Sequence, residues 1–176
     1  MPVTPFHAGV GLLAKGIGGG RVSLVGFCAA QATVDLESGY FLLRDDWPFH
    51  RFFHTFVGAA LACGAAVCGC ALVASWSARR PPSGRGLLRF ARRDLDSLMT
   101  PVGVVVTTVL AVVGHVVPDG IMHSDVRPFG PFVSGNPFEG FVSLTVLHWS
   151  LVAMGAIGAV LMIWREARGP RDRCRG

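Results

Sequence analysis

Residues 101–123 read PVGVVVTTVLAVVGHVVPDGIMH, and this stretch decides what kind of fold the chain can have. From 101 to 117 it carries no charge beyond a possible one on His115, which is the length and apolarity that a bilayer-spanning helix requires. It then places His115, Asp119 and His123 four residues apart, so that imidazole, carboxylate and imidazole share one stripe of a helix. Such groups are costly in hydrocarbon unless they bind a metal, relay protons or pair with one another. The same sequence therefore predicts a membrane span and a functional site at its end.

The rest of the chain agrees with a membrane setting. Of 176 residues, 51% are hydrophobic and only 15% charged, with a mean hydropathy of +0.50. Residues 52–76 and 141–164 are two more long apolar runs, broken only by His54 and His148. Residues 22–43 are long enough to span but contain Gln31, Asp35 and Glu37, and residues 6–17 are short and contain Lys15, which fits a half-helix, a re-entrant segment or a tilted span. The expected fold is all-α, a polytopic membrane helix bundle of four to five transmembrane segments, forming a single integral membrane domain over residues 1–176.

Arginines orient that bundle. Arg79, Arg80, Arg85, Arg89, Arg92 and Arg93 crowd the loop 78–100, and Arg165, Arg168, Arg171, Arg173 and Arg175 crowd the tail 165–176. The positive-inside rule puts both in the cytoplasm, and two spans between them satisfy it. Residues 44–51 and 119–140 then lie outside, and all six histidines fall in or near the outer half of the bundle. The net charge of +5 is accounted for by clusters flanking membrane segments, so no nucleic-acid partner is expected. If the basic loop is helical, Arg85, Arg89, Arg92 and Arg93 share one face and Leu88, Leu95 and Leu98 the other, an arrangement suited to anionic headgroups. The five cysteines imply no disulfide framework, and Cys68 and Cys70 read as small packing residues. An apolar stretch before Gln31 and Ala32 offers a leader-like cleavage site, but the long glycine-rich segment ahead of it is unlike a short basic leader.

His115 and Asp119 offer one nitrogen and one oxygen to a divalent ion, with Pro118 between them distorting the helix. His50 and His54 share a side if the third segment begins before them; they read either as ligands or as interfacial histidines among Phe49, Phe52 and Phe53. Asp35, one turn after Gln31, needs a partner, either a metal or an arginine such as Arg51 or Arg127, whereas Glu37 points away from it on an ideal helix. His148 is open to roles as a ligand, a substrate contact or a core residue.

Taken in order, His7, the acidic pair in Val34-Asp35-Leu36-Glu37, His50-Arg51 with His54-Thr55, and Gly114-His115 to Asp119 followed by Val126-Arg127-Pro128-Phe129 resemble the LexA-regulated, inner-membrane-associated metal-dependent hydrolases. The order holds over most of the chain. Val34 stands where that family has Pro, Glu37 where it has a second Asp, and no Gly follows Arg51. A wider likeness is to the zinc-dependent phospholipases C and single-strand nucleases, whose last motif would need an acid at Val152. The resemblance implies a divalent metal, zinc, held by His7, Asp35, His50, His54, His115, Asp119 and His123, with Asp35, Arg51 and Arg127 in catalysis. It further implies hydrolysis of a phosphoester in a membrane lipid or lipid-linked phosphate at the bacterial inner membrane. The competing expectation is a non-enzymatic membrane protein, using the His/Asp stripe for proton or cation movement or for helix packing.

Overall fold

The computed structural model describes residues 5–79 and 86–168. Arg80 and Arg85 of the basic loop, and Arg171, Arg173, Cys174 and Arg175 of the tail, lie outside the described residues. Within them the chain is helical, with no strand: α1 (Ala8–Gly18), α2 (Leu24–Leu43), α3 (Phe56–Ala78), α4 (Leu87–Leu95), α5 (Pro101–Met122) and α6 (Leu144–Arg168). Three of these, α3, α5 and α6, are long and apolar enough to cross a membrane. At 1.5 Å per residue, the 22 residues of α5 extend about 33 Å, matching a hydrocarbon core of about 30 Å.

The helix starts follow from side-chain caps. Ser23, Thr55 and Thr100 each accept a hydrogen bond from the backbone N–H three residues on, at 3.0, 2.9 and 3.0 Å, and set the first turns of α2, α3 and α5. The cap at Thr55 places His50 and His54 ahead of α3 rather than on it. His54 closes a 3-10 turn over Phe52–His54, and its ring still meets that of His50 edge-on, with centroids 4.6 Å apart. At the other end of the apolar run 101–117, α5 continues through Pro118 to Met122, so Asp119 is helical.

Packing is inverted relative to a water-soluble bundle. The interior between α2, α3 and α5 uses small side chains, among them Ala30, Ala59, Ala62, Cys63 and Ala111, around Phe27 and Val34. Leucines and valines such as Leu61, Leu72 and Val160 point outward, at 63%, 71% and 64% exposure. In water such a surface would demand a cover; in lipid it is the expected one, because close backbone approach rather than burial of large apolar groups holds the helices together. The α1/α6 seam shows this most clearly: a Cβ on Gly16 would lie 2.8 Å from the Gly158 carbonyl oxygen, and the backbone of Leu12 leaves no room for a side chain at Gly158.

A polar knot closes the end of the bundle where α1 finishes. Lys15 Nζ sits 2.6 Å from Asp94 Oδ1 and donates to the Val22 carbonyl at 2.7 Å. Asp94 Oδ2 accepts from the Ser23 hydroxyl and the Val25 N–H, both at 2.8 Å. A residue in an arginine-rich loop is thus buried and joins α1, α2 and α4. Of the loop's leucines, Leu88 is exposed while Leu98 enters the core.

Candidate metal centre

The structure brings Asp35 of α2, His54 of the turn before α3, and His115 and Asp119 of α5 together, each offering one ligand atom within 4.8 Å of all the others. All four are buried, His54 and His115 completely. His115 Nε2 lies 3.1 Å from Asp119 Oδ2, 3.3 Å from His54 Nε2 and 3.6 Å from Asp35 Oδ1; His54 Nε2 is 3.6 Å from Asp119 Oδ2. A tetrahedral ion with nitrogen and oxygen ligands at about 2.0–2.1 Å has ligand-to-ligand edges of about 3.3 Å. The observed spacings bracket that value.

Hydrogen bonds to the far side of His115 fix which of its atoms faces this group. Gln31 Nε2 donates to the Ala111 carbonyl at 3.0 Å, so the amide oxygen is left to face His115 Nδ1 at 2.6 Å. That oxygen accepts a proton carried on Nδ1, the tautomer in which Nε2 would turn a lone pair towards an ion between the two carboxylates. An imidazole lone pair and two carboxylates converge with no arginine or lysine among them, and Asp35 Oδ1 takes no hydrogen bond from the described residues. This donor set fits a bound cation, because acceptors held this close repel one another without one. Gln31→Ala, which frees the Nδ1 proton, is expected to weaken metal binding about 10- to 100-fold with the four ligands intact. Chelator competition measures this, and wild-type affinity in the variant would remove the orienting role.

His54 has an analogous support. Glu37 Oε2 stands 3.5 Å from His54 Nδ1 and accepts the backbone N–H groups of Phe53 and Arg51 at 2.8 and 3.3 Å. Glu37, which an ideal-helix projection turns away from Asp35, thus reaches the centre from the side of His54. Burial holds the His54 pKa below its ordinary value, an effect the Glu37 contact only partly offsets, so the ring is neutral, the form in which an imidazole can hold a metal.

His7, at the end of the turn leading into α1, places Nε2 3.1 Å from Asp119 Oδ1 and stacks on His115 with centroids 4.9 Å apart. It thus meets the carboxylate oxygen that the other three residues leave open. His50 and His123 join Asp125 in a second group capable of holding an ion. Their rings stack at 4.3 Å, and His50 Nδ1 is 2.9 Å from Asp125 Oδ1, while Asp125 Oδ2 accepts from the Phe49 and His50 backbone at 2.9 and 3.1 Å. Burial, with the neighbouring His50 adding to it, pushes the His123 pKa down to about 4. Burial opposes the charge on Asp125, yet the hydrogen bonds from His50 hold its carboxyl below the usual value. Asp125 was not singled out as a ligand by its sequence context, since its partner lies 75 residues away.

Arg51 and Arg127 belong to neither group. They line a cavity of about 480 Å³ together with His50, Thr55 and Asp125. The Arg51 guanidinium pairs with Asp46 at 2.8 Å, donates to the Pro48 carbonyl at 2.9 Å and lies over the Phe41 ring at 3.6 Å. Asp46, rather than Asp35, is therefore its carboxylate partner. His148 is half-buried beside the Phe6 ring, 4.9 Å between centroids, and is a member of neither group. Comparisons of the chain with protein-family models, with curated proteins and with solved structures found no match.

Proposed function

We propose that the chain is a membrane-bound metal-dependent hydrolase acting on phosphoester bonds of a lipid or lipid-linked substrate, with zinc as its ion. The observation that carries the proposal is the convergence of Asp35, His54, His115 and Asp119 in a buried, cation-free cage of acceptors. Two imidazoles and two carboxylates are a borderline donor set of the kind zinc accepts. The ordered resemblance of His7, Asp35, His50, His54, His115 and Asp119 to inner-membrane hydrolases supports the same reading.

An ion held there supplies Lewis acidity, polarising a phosphoryl oxygen and acidifying water. The protein's own part is to orient and to neutralise. Gln31 and Glu37 hold the two imidazoles in register. Arg51 and Arg127, in the cavity beside His50, are placed to take a phosphate, Arg51 by exchanging Asp46 for it. We place four to five segments in the bilayer, α2, α3, α5 and α6 with α1 as the short fifth, in a bacterial inner membrane. The arginine-rich loop and tail then face the cytoplasm.

A second reading draws on the ring contacts His50–His54, His54–His115 and His115–His7, at 4.6, 5.1 and 4.9 Å, which make a continuous line of titratable groups suited to proton movement. Metal analysis of the purified protein, a screen of phosphoester substrates and ion flux in liposomes separate the two. The hydrolase is expected to hold a stoichiometric divalent ion and to cleave phosphoesters without flux. Metal-free protein that conducts protons would overturn it.

A further inference from the structure

We propose that a lipid carrying a phosphate headgroup reaches the metal centre sideways, through a groove on the outer face of α2. The inference rests on the metal reading above and adds the route and the class of lipid. The groove, about 560 Å³, is lined by Ala32, Asp35, Leu36, Gly39, Tyr40 and Leu43, one stripe of the helix. Leu36 and Leu43 are 70% and 90% exposed, so the walls are hydrocarbon facing outward. Asp35 is the one ionisable carboxylate on the stripe and also belongs to the metal group.

Two observations make this more than an uncovered helix face. Asp35 is nine-tenths buried, and its Oδ1 takes no hydrogen bond from the described residues, so a buried carboxylate shared with the metal group stands among the apolar lining of the groove. Gly39 sits inside α2 near its carboxyl end, where glycine is still disfavoured, yet a Cβ there would touch nothing within 4 Å. Gly26 of the same helix, by contrast, lies against Leu98 and Ser23, which explains its lack of a side chain by packing. At Gly39 the missing side chain leaves only open groove. Acyl chains match Leu36 and Leu43, Tyr40 is a residue type suited to a headgroup boundary, and an anionic headgroup would complement an ion held by Asp35. A second apolar groove, between α1, α5 and α6 and lined by Val113 and Met154, contains no member of the metal group.

Photocrosslinking tests the route. The metal-loaded protein in phosphatidylcholine vesicles is exposed to phosphatidic acid bearing a diazirine in its acyl chain, or to the phosphatidylcholine analogue with the same chains. The phosphatidic acid probe is expected to label residues 36–43 several-fold more than its analogue, and Gly39→Leu is expected to abolish the difference while leaving metal content unchanged. Should Gly39→Leu fail to fold, the comparison of the two probes on the native protein decides alone, with Gly39→Val as the milder variant. Equal labelling by both probes on protein that holds its metal, or a preference located at Val113 and Met154, overturns the groove and leaves the metal reading standing. Protein that holds no divalent ion overturns both.

Discussion

Asp119→Asn is expected to strip the protein of its metal. Asp119 is the residue shared by most of the cluster, with Oδ2 on His115 and His54 and Oδ1 on His7. The amide keeps the size but presents no negative charge, so affinity should fall by more than the about 10- to 100-fold that loss of an orienting residue produces. Phosphoesterase activity should fall with it, while helix content stays near wild type. Val102→Ala, on an exposed position of the same helix, serves as the control for general damage. Elemental analysis that finds equal metal in wild type and Asp119→Asn would end the ligand assignment.

The second large effect belongs to the opposite end of the bundle. Asp94→Ala leaves the Lys15 ammonium with only the Val22 carbonyl and removes the acceptor of Ser23 and Val25. Removing one partner of a buried pair costs about 3–5 kcal/mol, much of it the price of the charge left behind. Thermal unfolding in detergent should register that loss with no change in metal affinity. Replacing both members together, Lys15→Met with Asp94→Leu, is expected to recover much of the stability. A double variant as unstable as Asp94→Ala would show that the hydrogen bonds to Ser23 and Val25, not the ion pair, hold the knot.

The apolar runs now seen as α3, α5 and α6 were legible because hydrophobicity over more than 18 residues is a property of one segment. The four-residue spacing of His115 and Asp119 was legible for the same reason, being one helix face. Contacts between segments were not. Gln31 could be seen as a polar residue needing company, but its partner His115 is 84 residues distant. The contact of Glu37 with His54 was not legible, because a helical projection locates a Cα and takes no account of a flexible carboxylate reaching the turn before α3. Asp94, set among arginines, has the look of a solvated charge, and only the fold shows it 71 residues from the Ser23 hydroxyl that donates to it. A shared helical face for His50 and His54 requires the third helix to begin before them, and that condition is not met: Thr55 takes the capping role and the helix starts at Phe56.

The α1 helix is fastened at both ends and along its length by parts of the chain that follow it. Its leading turn meets Asp119, its last turn meets Asp94, and its Gly9 and Gly16 lie against Leu151 and Gly158 of α6. On a ribosome that delivers the chain from the amino terminus, α1 is made before α6 and has no finished seat until α6 has followed it. His7 meets an Asp119 carried by α5, so the side of the centre that His7 covers can form only once α5 has been made and α1 lies against it.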